Sequence, residues 1–159
     1  MLNGYGEIAS IPAYGPAVLR LVVGVVFVAH GAQKLFGVLG GDGLSGTSAA
    51  FSQMGLEPAY AFAVVVGALE FGGGLLLLVG ALTFFASLAL VLVRTGAIWK
   101  VHLAHGFFLS DNGYEYNLTL IAALVCLMLA GPGALSIDRN RASHAAAAAA
   151  GRARLRWGA

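Results

Sequence analysis

The feature that most constrains the fold is an apolar run of 35 residues, from Ala59 to Val93, in which Glu70 is the one charged residue. A single straight helix of that length would be about 52 Å long, well beyond a hydrocarbon core about 30 Å thick. The run must therefore fold back on itself, and Gly80-Ala81-Leu82-Thr83 is the most favourable place for the turn. We predict two membrane-spanning helices joined by a tight turn.

Composition supports a membrane protein along most of the chain. Of the 159 residues, 59% are hydrophobic and 10% are charged, and the mean hydropathy is +0.85. Because an average soluble domain carries about 25% charged residues, this composition excludes a water-soluble domain, a disordered chain and a nucleic-acid partner. We predict an all-α polytopic membrane protein, an up-down bundle of four transmembrane helices at about 16–36, 59–79, 82–101 and 114–130.

The segments outside these helices divide the chain further. The polar, glycine-rich connection 37–58 contains spaced apolar residues around Phe51, which predict a short amphipathic segment at the membrane interface in the first outer loop. The predicted parts are an N-terminal segment, 1–15, the four-helix transmembrane domain, 16–138, and a basic, alanine-rich cytoplasmic tail, 139–159.

The distribution of basic residues predicts the orientation. Five of the nine lysines and arginines lie in the last 21 residues, which contain no acid. Positive charge is enriched in the cytoplasmic segments of membrane proteins. With four crossings both termini lie on the same side, so we predict that both are cytoplasmic and that the connections 37–58 and 102–113 face outwards.

Ionisable residues within the predicted helices are the first candidates for function, because charge at membrane depth is costly. Glu70 and Arg94 lie near the middle of two adjacent helices, and we expect them to pair. An ion pair that only fixes the helix register is the alternative interpretation. Gly72-Gly73-Gly74, which begins two residues after Glu70, predicts a close-packed helix face. Arg20, one turn inside the first helix, is expected to extend to the lipid headgroups.

A second group of polar residues is predicted near the outer surface. His30 and Lys34 are four residues apart and share one helix face, and His102 and Glu115 flank the second outer connection. His102 and His105 have a spacing that fits one metal ion, but no cysteine or carboxylate follows at a ligand spacing, so no metal site is predicted.

The lone cysteine limits the chemistry that the chain performs by itself. Cys126 lies in an apolar run, and the sequence contains no Cys-x-x-Cys pair. A single thiol excludes an intrachain disulfide and argues against an oxidoreductase that uses its own redox-active cysteines. We expect Cys126 to be a small buried hydrophobic residue.

Short motifs recur along the chain in a characteristic order. They are Leu19-Arg20, His30-Gly31-Ala32-Gln33-Lys34-Leu35-Phe36, Glu70 with Gly72-Gly73, His102 with Gly106-Phe107-Phe108, Gly113-Tyr114-Glu115-Tyr116, and Gly131-Pro132-Gly133 with Ser136-Ile137-Asp138. Together they resemble the DoxX family of small four-helix membrane proteins. The resemblance implies a bacterial-type plasma (inner) membrane protein with an oxidoreductase role, and the related DoxD branch is associated with thiosulfate:quinone oxidoreduction.

Two functional hypotheses follow. In the first, the protein is a quinone-linked redox subunit or a component of a membrane oxidoreductase complex. Its catalytic residues would be Glu70, Arg94 and His102, and its quinone-site mouth would consist of His30, Lys34 and Glu115. Quinone is the cofactor that this hypothesis implies, and the residues themselves demand no other. The alternative is a non-catalytic accessory subunit that packs against a larger membrane complex. Both hypotheses predict the lipid bilayer and other membrane or redox-complex subunits as partners.

Overall fold

A computed structural model describes residues 14–145 and residue 152 of the chain. Within these residues the protein is all-helical, without β-strands, and the predicted all-α architecture is confirmed. The N-terminal segment up to residue 13 and the predicted tail beyond residue 145, apart from residue 152, lie outside the described residues. The helices are α1 (Tyr14–Phe36), α2 (Gly43–Gln53), α3 (Ala59–Val79), α4 (Thr83–Ala97), α5 (Glu115–Ala130) and α6 (137–145).

Helices α1, α3, α4 and α5 form one bundle. Helix α1 packs on α3, α3 on α4 and α4 on α5, and contacts between α1 and α5 close the bundle. Among the described residues, α1, α3 and the continuous helical segment Thr83–His105 are long and apolar enough to cross a membrane, and α5 is a shorter apolar helix. The core contains Phe27, Leu77, Leu90 and Leu124, each fully buried.

The outer surface of the bundle is also apolar. Leu129 is 84% exposed and Phe85 is 67% exposed, as expected for side chains whose solvent is the lipid bilayer. Cys126 is exposed on α5, so the expectation that it would be buried is wrong. Helix α2 begins at Gly43, earlier than the predicted amphipathic segment, and none of its residues is fully buried.

Glycines allow α1 and α3 to pack closely. A Cβ added to Gly31 would lie 2.3 Å from the backbone nitrogen of Phe71, and one added to Gly74 would lie 2.7 Å from the backbone nitrogen of Val28. No side chain fits at such distances, so both positions require glycine. A Cβ at Gly72 would meet nothing within 4 Å, and the predicted close-packed face therefore does not include that position.

The turn between α3 and α4 lies where the sequence predicts it. Gly80 ends α3 with φ of 65°, and Leu82 precedes α4 with φ of 48°. The Asp138 carboxylate accepts hydrogen bonds of 2.9 Å from the backbone N–H groups of Leu82 and Thr83. The Asp138 N–H donates in turn to the Gly80 carbonyl. The first turn of α6 thus caps the start of α4 and holds the chain after α5 against this end of the bundle.

The end of the third predicted helix differs from a regular α-helix. Beyond Ala97 the chain continues as a π-helical turn, Ile98–His102, and a 3-10 turn, Leu103–His105. The predicted helix 82–101 therefore has the right position, but its last turn is wider than an α-helix. This change of helix type ends the segment that leads into the connection between α4 and α5.

Candidate functional site

Glu70 is the centre of a buried polar cluster. It is 1% exposed, and each carboxylate oxygen accepts a hydrogen bond from a different cation. Arg94 Nη2 lies 2.9 Å from Oε1, and Lys34 Nζ lies 2.6 Å from Oε2. The predicted Glu70–Arg94 pair is therefore present. Lys34, which was expected near the outer mouth, binds the same carboxylate directly.

Arg94 makes two further contacts across the bundle. Its Nη1 donates a long hydrogen bond of 3.4 Å to Asn117 Oδ1 on α5, and its guanidinium carbon lies 4.6 Å from the ring centroid of Phe27 on α1. Its Nε is buried without a hydrogen-bond partner among the described residues. We call Lys34, Glu70, Arg94 and Asn117 the central cluster, which joins all four bundle helices.

Close packing of α1 on α3 brings Lys34 to Glu70. Gly67 lies one turn before Glu70 on α3, and a Cβ there would be 2.7 Å from Leu35 Cδ2 and 3.5 Å from Lys34 Cβ. A larger residue there would require the Leu35 side chain to move. Gly67 therefore permits the approach that allows the lysine ammonium to contact the carboxylate.

His30 lies beside the central cluster without bonding to Glu70. It is half-buried one turn before Lys34, and its ring centroid is 6.3 Å from that of Tyr116, the residue before Asn117 on α5. An imidazole titrates near physiological pH more readily than other side chains. His30 is consequently a candidate proton-exchanging group on the side of the cluster where Tyr116 lies.

His102 and Glu115 form hydrogen bonds with the connection between α4 and α5 instead. His102 Nδ1 is 2.7 Å from the carbonyl oxygen of Asn112, and Glu115 Oε1 accepts a 2.8 Å hydrogen bond from the backbone N–H of Leu109. Among the described residues, neither makes a hydrogen bond or ion pair with the central cluster. The structure thus does not join all the predicted site residues into one network.

Arg20 does not extend to the lipid headgroups, and that expectation is wrong. It is 2% exposed, and its guanidinium donates to backbone carbonyls where α3 ends and where the chain leaves α5. Leu77 and Leu78 belong to the last turn of α3, whose carbonyls carry the negative end of the helix dipole, and the other acceptors lie in the connection between α5 and α6. The acceptors are the carbonyls of Leu77, Leu78, Pro132, Ala134 and Leu135.

Sequence reasoning missed two members of this site. Asn117 is a polar residue at the start of an apolar helix, so its residue type was a usable signal. Phe27 is one of nine phenylalanines, and no pattern distinguishes it from the others. Its importance depends on the rotation of α1, which sequence spacing alone does not specify.

Comparison with known proteins places the chain in a family. The DoxX family model matches residues 15–103. The chain is 32% identical to "Uncharacterized membrane protein Rv3486" of Mycobacterium tuberculosis, covering 83% of this chain and 84% of that protein. It is 31% identical to "Putative oxidoreductase CatD" of Bacillus subtilis, covering 78% and 84%. It is 32% identical to "Inner membrane protein YqjF" of Escherichia coli, covering 79% and 90%.

No solved structure matches the chain significantly. The family match covers more than half of the 159 residues and includes α1, α2, α3 and α4, with three of the four members of the central cluster. The relatives that it resembles over most of their length are named as membrane proteins or as an oxidoreductase. This chain is a membrane protein that belongs to the DoxX family.

Proposed function

We propose that the protein is the quinone-binding subunit of a membrane oxidoreductase complex and that the central cluster is its quinone site. The observation that carries this proposal is the buried guanidinium of Arg94, whose Nε has no acceptor among the described residues. A buried donor without an acceptor is costly, and a ligand oxygen placed against it removes that cost. The printed name of the Bacillus subtilis relative supports an oxidoreductase role.

A quinone suits the residues around this donor. It is a flat apolar ring with carbonyl oxygens that accept hydrogen bonds. Arg94 and Lys34 supply cationic donors, and the buried ring of Phe27 packs against Arg94 in an apolar part of the bundle. The Lys34 side chain is 25% exposed, so we propose that the ligand enters from the end of α1.

Each residue has a distinct role in the proposed site. When bound, a quinone takes up two electrons and two protons and leaves as a quinol. In the proposed complex, a cofactor-bearing partner subunit would supply the electrons. Arg94 donates a hydrogen bond to a ligand oxygen, Lys34 offsets negative charge there, and Glu70 holds both cations in position. His30 exchanges protons with the ligand on the side of Tyr116.

His102 and Glu115 act on the proposed site indirectly. The antiparallel helix order places the end of α1, the end of α4 and the start of α5 at the same end of the bundle. Hydrogen bonds of His102 and Glu115 fix the connection between α4 and α5 at this end. We propose that they are positioning residues, which hold this connection beside the entry to the cluster.

Equilibrium binding of short-chain ubiquinone and menaquinone analogues to the protein in nanodiscs tests the proposal. We expect saturable binding that Arg94→Gln weakens about tenfold or more, since a hydrogen bond from a charged group is lost. Lys100→Gln is the matched control, because Lys100 is an exposed cation just beyond α4. The proposal fails if the unmodified protein binds neither analogue, or if a correctly folded Arg94→Gln protein binds them equally well.

A non-catalytic accessory subunit is the second candidate function, and one observation favours it. Both oxygens of Glu70 already bind cations from two other helices, so the cluster also fixes the register of α1, α3 and α4. In that case Arg94→Gln would lower stability without changing any ligand affinity. Co-purification in fixed ratio with a cofactor-bearing membrane protein, without quinone binding by this chain, would support the accessory role.

A further inference from the structure

The central cluster contains more positive than negative charge. Lys34 and Arg94 each contribute one positive charge and Glu70 contributes one negative charge, which leaves a formal charge of +1. Asn117 is neutral. Among the described residues, no second carboxylate lies within ion-pair distance of either cation. The cluster therefore lacks one negative charge for full internal compensation.

Burial makes this imbalance significant. Arg94 is 6% exposed, and Coulomb interactions between groups at such depth are weakly screened. The ring of Phe27 and the partial exposure of Lys34 reduce the cost of the excess charge. An anion bound beside the two cations would balance it fully. The unpartnered Nε–H of Arg94 independently indicates where an acceptor oxygen of that anion would bind.

We infer that the site prefers quinone-type rings that carry an ionised hydroxyl group over neutral rings of the same shape. The inference rests on the proposed function and adds the charge state of the ligand. An oxyanion would accept a hydrogen bond from Arg94 Nε and lie close to the ammonium of Lys34. Arg94 and Lys34 are cations with either ligand, so the advantage of the oxyanion is its Coulomb attraction to the excess positive charge of the cluster.

A matched pair of ligands tests the inference. Lawsone is a hydroxynaphthoquinone that is an anion at neutral pH, and its methyl ether has the same ring system without charge. We would measure the Kd of both for the protein in phosphatidylcholine nanodiscs, with empty nanodiscs as the correction for partitioning. We expect the Kd of lawsone to be lower than that of its methyl ether by a factor of about ten or more, because the +1 cluster attracts the anion.

Three variants connect this preference to the charge of the cluster. Lys34→Met makes the cluster formally neutral. We therefore expect the preference for lawsone, measured as the Kd of the methyl ether divided by the Kd of lawsone, to fall close to one. Glu70→Gln raises the formal charge to +2, and the preference should increase. Lys100→Met removes an exposed cation outside the cluster and should leave the preference unchanged.

The outcomes separate this inference from the proposed function. If both ligands bind equally well, the preference for an anion is refuted and the quinone site stands. If neither binds, the quinone site itself is refuted. If Lys34→Met does not fold, the Glu70→Gln protein provides the test. A preference for lawsone in that variant that is equal to or smaller than in the unmodified protein overturns the inference.

Discussion

Two buried arginines in the same bundle are satisfied in different ways. Arg20 is 2% exposed and Arg94 is 6% exposed. All three nitrogen groups of Arg20 donate to backbone carbonyls. Arg94 instead pairs with Glu70 and makes a long bond to Asn117, and its Nε has no partner among the described residues.

The difference shows that a buried cation does not by itself mark a ligand site. Backbone carbonyls are neutral but oriented dipoles, so those at the end of α3 and in the connection after α5 compensate the Arg20 charge without a directly bonded acid. This arrangement uses every donor and ties the chain after α5 to the end of α3. The Arg94 site has a donor and a positive charge still uncompensated, which is why we assign the ligand to it.

The largest expected effect is the loss of stability when Arg20 is replaced by Met. This change removes five hydrogen bonds, all of them buried or partly buried, so we expect a loss of at least about 3 kcal/mol in unfolding free energy. Reversible unfolding in mixed detergent micelles measures it.

Two further variants sharpen this test. Arg139→Met is the matched control, because Arg139 is exposed on α6. Arg20→Lys should recover only part of the loss, since an ammonium lacks the planar fork of a guanidinium. A change below about 0.5 kcal/mol in Arg20→Met would show that its carbonyl contacts do not stabilise the bundle.

A smaller effect is expected within the central cluster, where the two ion pairs of Glu70 should differ. Double-mutant cycles with glutamine at Glu70, Arg94 and Lys34 measure the coupling energies. We expect about 2–3 kcal/mol for Glu70–Arg94. We expect about 1 kcal/mol or less for Glu70–Lys34, because the Lys34 side chain is 25% exposed and its charge is better screened. The reverse order would mean that burial does not determine which cation Glu70 holds more strongly.

The smallest effect concerns Asp138, close to the Arg20 site. Burial opposes its ionisation, but hydrogen bonds from Thr83 and Leu82 outweigh burial and hold the pKa of Asp138 below its ordinary value. We expect Asp138→Asn to lose about 1 kcal/mol at neutral pH, because a helix cap is weakened.

The pH dependence of this loss has a defined sign. A carboxylate with a lowered pKa stabilises the fold above its ordinary pKa of about 3.9, and this contribution disappears as the pH falls through the lower folded value. The difference between the two proteins should therefore shrink in acid. Unfolding measured from neutral to acidic pH checks this, and a difference that stays constant would rule out the ionised cap.

Much of the fold follows from local sequence. The positions of the bundle helices and of the turn at Gly80 follow from hydropathy and glycine placement, which act within a few residues along the chain. The Glu70–Arg94 pair was also predictable, since a tight turn places residues of similar depth side by side. The second ion pair of Glu70, with Lys34, was not predictable, because its formation depends on how closely α1 approaches α3 near Gly67.

The sequence by itself determined that this is a helical membrane protein with a few costly charges at membrane depth, because the exclusion of charge from lipid applies to each segment separately. Only the tertiary structure decided how those charges are compensated. The rotation and spacing of packed helices placed Arg20 against backbone carbonyls of α3 and of the connection after α5, and they left Arg94 Nε without an acceptor among the described residues. Interactions between helices distant in sequence depend on distances of a few ångströms, which hydropathy and residue spacing do not encode.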